Sequence, residues 1–186
     1  MGSAVFELIL FSLPSLLYAR RLRRSGANRL EVRTVVGLQS GSRADYLLAV
    51  VIAPLGIALA LLLLNLIPTH VLHGGSKNIV GAPDTAGGYA AIVLLALAEE
   101  MLFRGFLAGL LFRRFGFGTG NAIQATLFLA PHMLLLLVSA SLWPILPLQF
   151  IAGWVLGWLR QRSDSIGPPW LLHSLTNLAA ALLLAV

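Results

Sequence analysis

Long apolar runs separated by short polar segments make up most of this sequence. A helix that crosses a bilayer needs about 20 mostly apolar residues, and about six segments of the chain meet that requirement. The pattern predicts an all-α fold, a polytopic membrane helix bundle of about six transmembrane helices. The predicted spans are approximately Ser3–Ala19, Tyr46–Ile67, Gly88–Phe112, Asn121–Val138, Leu142–Leu159 and Pro169–Val186.

The composition fits a lipid environment. Hydrophobic residues make up 58% of the chain and charged residues 11%, whereas a soluble domain carries about 25% charged residues. The net charge of +6 comes from basic clusters between apolar runs, which is typical of membrane topology rather than of nucleic-acid binding. We therefore expect the lipid bilayer and no nucleic acid as a partner. The absence of cysteine excludes thiol-dependent proteases.

The basic residues lie on alternate predicted loops. Seven arginines fall between the first and second spans, two follow the third span and two follow the fifth, whereas the opposite loops carry only Lys77. The positive-inside rule places the arginine loops in the cytoplasm and both termini outside. The loop of residues 68–87, which is rich in Gly and Pro, is then expected at the outer surface.

The chain is expected to have two regions. Residues 1–87 hold two N-terminal transmembrane helices with the basic cytoplasmic loop and the outer loop, and residues 88–186 form a four-helix catalytic core. Two GxxxG patterns, Gly105–Gly109 and Gly153–Gly157, allow helix backbones to approach closely in lipid. We expect them to pack within the bundle rather than between copies, and the sequence predicts no oligomeric state.

A few polar residues lie within the predicted spans of the second region. Ionisable side chains are costly in lipid, which makes them candidates for function. The amides to be considered with them are Asn177, Gln124 and Gln149. The candidates are Glu99, Glu100 and Arg104 in the third span, His132 in the fourth, and His173 and Asn177 in the sixth.

Spacing separates the two glutamates. Glu100 and Arg104 are four positions apart, so they share a helix face and can form an ion pair. Glu99 is rotated by about 100° from Glu100 and is free to act on water as a general base. His173 and Asn177 also share a face and can both donate to a developing oxyanion.

The known intramembrane protease chemistries can be compared with these residues. An aspartyl mechanism needs two intramembrane aspartates, but Asp45, Asp84 and Asp164 lie in predicted loops or at helix ends. No serine stands in a GxSG motif within a predicted span, and no histidine begins the HExxH motif of a zinc protease. Glutamate combined with histidines from separate helices is the chemistry that fits.

Three motifs of the second region resemble those of one known family, and they occur in the family's order. The family is that of the CAAX prenyl proteases and bacteriocin-processing proteins, called CPBP or Abi, whose members are intramembrane proteases. Its motifs are EExxxR, FxxxH and HxxxN. The matching segments are Glu99-Glu100-Met-Leu-Phe-Arg104, Phe128-Leu-Ala-Pro-His132 and His173-Ser-Leu-Thr-Asn177.

The resemblance implies a role for each motif. Glu99 is the expected general base and activates water together with His132. Glu100 and Arg104 are expected to organise the site, and the third motif is expected to stabilise the oxyanion. No cofactor is expected to be obligatory, because an asparagine is a poor zinc ligand and a good oxyanion donor. The alternative is Zn²⁺ bound by Glu99, His132 and His173.

The leading hypothesis is therefore a glutamic-type intramembrane endopeptidase. Its expected substrate is a protein or peptide, such as one with a C-terminal or leader processing segment. The small size of the chain favours a prokaryotic processing role in the inner membrane. The alternative is a non-catalytic immunity or scaffold protein, or a small transporter, that uses the polar cluster for packing or ion passage. Convergence of Glu99, His132, His173 and Asn177 around a water-sized space favours the enzyme.

Overall fold

Helices form nearly all of the structure that the computed structural model describes, which covers residues 1–69, 71, 83 and 85–183. A π-helical turn lies at Met101–Leu107, and two 3₁₀ turns lie at Ala130–Leu134 and Ala140–Leu142. The helices are α1 Gly2–Arg24, α2 Arg29–Val35, α3 Arg43–Leu64, α4 Ala86–Glu100, α5 Ala108–Leu129, α6 Leu135–Val138, α7 Ile145–Ser163 and α8 Gly167–Leu183.

The prediction of an all-α membrane helix bundle is confirmed. Within the part of the chain that the structure describes, three segments are long and apolar enough to cross a membrane, namely α1, α3 and Ala140–Ser163. Many apolar side chains face outward, including Leu55 and Leu137, which are 71% and 84% exposed, as expected when lipid is the solvent. The other three predicted spans coincide with helical segments, and their passage through the membrane stays a prediction. Most of the predicted outer loop, with Lys77, lies outside the described residues.

Local sequence signals explain several helix boundaries. Asn28 caps α2 by accepting a hydrogen bond from the Glu31 amide. Ser42 and Asp45 form a reciprocal capping box at the start of α3. Gly116 has a φ of 73° and breaks the direction of α5, since glycine adopts this left-handed region without a steric penalty. The predicted third span passes into the fourth at this break.

The N-terminal helices pack directly on the predicted catalytic core. The α1 helix contacts α4 and the π-helical turn, and α3 contacts α8 and α7. Buried apolar residues of α3, α7 and α8 form the core cluster, which is Ala49, Ala53, Leu156, Leu159 and Leu172. The division of the chain after residue 87 stays a prediction, but the first region clearly contributes to the packing of the second.

Both GxxxG patterns pack within the chain, as predicted. Added methyl groups would collide at Gly105 with Ser15 of α1 and at Gly109 with the backbone of Val35. On α7, Gly153 lies against Ala125 of α5. These glycines therefore bring helices of the same chain into close contact.

The arginine-rich loops meet at one end of the bundle. Arg162, in the last turn of α7, forms an ion pair with Asp45 at the start of α3, with Arg162 Nε and Asp45 Oδ1 3.0 Å apart. Leu38 pairs with Ser165 through an isolated antiparallel bridge. Arg160 differs from its neighbours, because it is only 4% exposed and is not the solvated loop residue that the charge pattern indicates.

Candidate active site

Glu100 and Arg104 form the fully buried centre of the site. Glu100 is the last residue of α4 and Arg104 lies in the π-helical turn, and both side chains have 0% exposure. Arg104 Nη1 donates to Glu100 Oε1 over 3.0 Å, which confirms the ion pair that the four-residue spacing predicts. Arg104 Nη2 also donates to the carbonyl oxygen of Gly153 over 3.3 Å. The guanidinium therefore joins α4 to α7 as well as neutralising Glu100.

His173 of α8 lies between the two glutamates. Its Nδ1 atom is 2.9 Å from Glu100 Oε1, and a carboxylate oxygen can only accept, so Nδ1 donates. Its Nε2 atom is 3.7 Å from Glu99 Oε2, which is longer than a direct hydrogen bond. One turn earlier, Trp170 Nε1 donates to the carbonyl oxygen of Val93 over 3.0 Å. This bond joins α8 to α4, the helix that carries both glutamates.

The two glutamates differ in their exposure. The Glu99 side chain is 30% exposed, whereas the Glu100 side chain is fully buried. The 100° rotation between adjacent helix residues thus separates a buried, ion-paired carboxylate from one that can reach solvent or substrate. Glu99 has no ion-pair partner on its own helix within the described part of the chain, as the spacing predicts.

His132 makes no hydrogen bond or ion pair with Glu99 among the described residues, and its role in activating water together with Glu99 stays a prediction. Among the residues that the structure describes, the imidazole within 4 Å of Glu99 belongs to His173. The fourth predicted span changes from α-helix to a 3₁₀ turn at Ala130–Leu134, directly around Pro131, so helical periodicity does not fix the direction of His132. Its Nδ1 atom donates to Phe128 O over 2.9 Å. In the neutral ring this bond leaves Nε2 as the acceptor.

Phe128 connects the parts of the site, and spacing alone gave it no role. Its ring centroid lies 4.4 Å from the Arg104 guanidinium carbon. The ring lies 5.2 Å from the His132 ring and 5.9 Å from the His173 ring, measured between centroids. A cation–π contact of this kind stabilises a buried guanidinium. The sequence signal that could have indicated its role is the position of Phe128 at the start of the FxxxH motif.

Asn177 lies on the same face of α8 as His173, and both line a cavity of about 440 Å³. The cavity lies between α3, α7 and α8, and its walls are largely apolar. Polar side chains enter it from α8 and from Gln149 of α7. Asn177 is exposed, so its amide is accessible from the cavity. Glu99, Glu100, Arg104 and His173 therefore meet, Asn177 faces the adjacent cavity, and His132 joins them through Phe128.

The alternative of a zinc site can be compared with this geometry. Across the described residues, no three His, Asp or Glu side chains are grouped closely enough to bind a metal ion. Glu99, His132 and His173 thus do not form a preassembled zinc site. Arg104 also places a positive charge on the Glu100 oxygen that His173 contacts. The use of water without an obligatory metal stays a prediction.

Within this membrane helix bundle, two carboxylates, a guanidinium and an imidazole lie together beside an apolar cavity, an arrangement that is a candidate for an intramembrane active site. The model of the Rce1-like type II CAAX prenyl endopeptidase family matches residues 82–179, just over half of the chain. The chain belongs to this family and is a membrane protease, and the resemblance seen in the motifs is confirmed. The match includes all six candidate site residues. No curated protein and no solved structure matches the chain.

Proposed function

We propose that this membrane protease hydrolyses a peptide bond near the membrane with a water molecule activated by Glu99. The observation that carries the proposal is the position of the His173 ring between two carboxylates of another helix, 2.9 Å from Glu100 and 3.7 Å from Glu99. A water about 2.8 Å from both Glu99 Oε2 and His173 Nε2 could bridge the longer gap. Such a water would donate one hydrogen bond to Glu99 Oε2 and one to His173 Nε2.

In the proposed step, the water oxygen attacks the carbonyl carbon of the substrate while its proton passes to Glu99. When the C–N bond breaks, the leaving amine takes this proton and Glu99 returns to its ionised form. Glu100 accepts a hydrogen bond from the Nδ1–H group of His173 and so keeps Nε2 directed at the water, as an orienting carboxylate does for a catalytic imidazole.

The assignment of the third motif changes accordingly. In this proposal His173 holds the attacking water, whereas the resemblance implies that His173 donates to the oxyanion. Asn177, one turn along α8, is the proposed donor to the oxyanion. His132 is retained as a site residue because its ring packs on Phe128 beside the ring of His173.

The cavity indicates the kind of substrate. Its apolar walls suit an apolar segment, and the polar face of α8 suits the adjoining peptide bond. The family is named for prenylated proteins with a C-terminal CAAX sequence, so a prenylated CAAX peptide is the first substrate to assay. Peptides with an apolar leader segment are the second. We propose that neither reaction needs an obligatory metal.

The test compares two glutamine variants in proteoliposomes. Glu99→Gln should lower the cleavage rate about 100-fold or more, since this is the usual contribution of a general base. Glu7→Gln is the matched control, because Glu7 lies on α1 and makes no hydrogen bond or ion pair within the described residues. Full cleavage by the Glu99→Gln variant, or equal losses in both variants, would contradict the proposal.

A further inference from the structure

The π-helical turn after the two glutamates is held by side chains from other helices. Ser15 of α1 donates to Met101 O over 2.5 Å, and Arg160 Nε of α7 donates to Arg104 O over 3.1 Å. A carbonyl oxygen has two lone pairs, so it can accept such a bond in addition to a helical one. Short π-helical turns are often found at functional sites, and this one carries the partner of Glu100.

Arg160 binds a second element through another nitrogen of its guanidinium. Its Nη2 atom donates to Thr34 O over 2.6 Å and to Val35 O over 3.0 Å. These carbonyls belong to the last turn of α2, where helical donors run out, and Thr34 O also accepts a hydrogen bond from the Gly37 amide over 3.2 Å. Asp164, 3.8 Å away and 57% exposed, is the ion-pair partner that the described residues provide. Carbonyl oxygens therefore make the closest contacts with this buried charge.

The surroundings of Arg160 fit an arginine specifically. The planar guanidinium donates through both Nε and Nη2 to carbonyl oxygens of two different elements, which the single ammonium group of a lysine cannot reproduce. Gly37 adopts a φ of +72°, and a methyl group there would lie 2.6 Å from Arg160 Nε. The glycine thus satisfies both the turn and the close approach of the guanidinium.

We propose that Arg160 is a positioning residue for the hydrolysis. It fixes the main chain of Arg104 against the end of α2, so that the Arg104 side chain stays on Glu100 and Glu100 stays on His173. Ser15 supports the same turn from α1. This inference rests on the proposed function, but its structural part, that Arg160 holds the turn, can be measured without any substrate.

The experiment compares Arg160→Lys with Arg162→Lys. Both variants keep the positive charge, and Arg162 is a matched control because it lies two residues away and pairs with Asp45 at the surface. In detergent micelles, amide hydrogen exchange of residues 101–109 should accelerate about tenfold or more in Arg160→Lys alone, as expected from the loss of charge-assisted hydrogen bonds. In the cleavage assay, kcat should fall about tenfold while KM stays within about twofold, because the turn orients the site without binding substrate.

Each result decides a separate part of the inference. Unchanged exchange in Arg160→Lys would show that Arg160 does not hold the turn. Faster exchange with an unchanged kcat, or a change confined to KM, would overturn its role in the reaction. If the wild-type protein shows no cleavage that depends on Glu99, the proposed function is contradicted. The exchange result still decides whether Arg160 holds the turn.

A milder pair of variants guards against loss of folding. Ser15→Ala removes the hydrogen bond to Met101 O, whereas Ser12→Ala, on the same helix, removes a hydroxyl that makes no side-chain hydrogen bond among the described residues. Ser15→Ala should accelerate exchange at residues 101–109 and lower kcat by about threefold or more, since a neutral hydrogen bond contributes less than a charged one. Identical behaviour of the two serine variants would contradict the proposed support from α1.

Discussion

At the scale of residues, burial of charge decides how the site is built. Arg104 and Glu100 have no exposed surface, and Arg104 also contacts the carbonyl oxygen of Gly153 and the ring of Phe128. Removing one partner of a buried ion pair strongly destabilises the folded protein, because the remaining charge is left buried and unpaired. We infer that these two residues form one unit, while the neighbouring Glu99, which is 30% exposed, is available for reaction.

Alanine substitutions test this division. Glu100→Ala and Arg104→Ala should each lower the free energy of unfolding by about 3 kcal/mol or more, because each leaves an unpaired buried charge. The double variant should lose less than the sum of the single losses. Glu99→Ala, as control, should change stability by about 1 kcal/mol or less. The measurement is unfolding in detergent micelles, and additive losses in the double variant would contradict the paired arrangement.

The sequence predicted some of these contacts and missed others for a physical reason. The Glu100–Arg104 pair follows from spacing along one helix, so the prediction was confirmed. The neighbours of Glu99 depend on the depth and rotation of other helices, so spacing along one helix does not predict that His173 Nε2 lies 3.7 Å from Glu99 Oε2. Arg160 was read as a loop arginine, because charge patterning does not distinguish a solvated guanidinium from one bound by distant carbonyls.

At the scale of elements, two irregular turns shape the site. Hydrophobic periodicity predicted the helices but not the π-helical turn after Glu100 or the 3₁₀ turn around Pro131. Such local changes of winding leave the apolar pattern almost unchanged. By contrast, the glycine pairs did predict close helix contacts. On α7, a methyl group at Gly157 would collide with the side-chain oxygen of Asn121 on α5.

Glycine substitutions measure the closeness of this contact. Gly157→Ala should lower the free energy of unfolding by about 1–3 kcal/mol, because the added methyl group forces α5 and α7 apart. Gly118→Ala is the control, since a methyl group there has nothing within 4 Å. Its stability should match or slightly exceed that of the wild type, as alanine favours helix over glycine. Equal stability of both variants would show that α5 and α7 are not in tight contact.

At the scale of the whole molecule, the arginine-rich segments lie at one end of the bundle. The contacts of Arg160 with α2 and of Arg162 with Asp45 bring two of these segments together. Gly109, one turn before Arg113 and Arg114, packs on Val35 at the end of α2. This common location agrees with the prediction that the arginine-rich loops lie on one side of the membrane. The positive-inside rule predicts that this side is the cytoplasmic one.

Single cysteines can test this orientation, because the chain has none of its own. Ser25→Cys and Thr119→Cys place a thiol beside two arginine clusters without removing an arginine, and Ser3→Cys places one near the N-terminus. A membrane-impermeant maleimide should label the first two variants only from the cytoplasmic side and the third only from the outside. Labelling of Ser25→Cys and Thr119→Cys from opposite sides would contradict the predicted topology.

The central claim, that Glu99 delivers water directly to a peptide bond, is tested most directly by single-turnover cleavage in H₂¹⁸O. Mass spectrometry of both product and enzyme follows the label. Direct attack by a water that Glu99 activates predicts one ¹⁸O atom in the new carboxyl terminus of the product and none in Glu99. It also predicts no product from Glu99→Gln in the same time. Label in the Glu99 carboxylate, or unimpaired cleavage by Glu99→Gln, would contradict it.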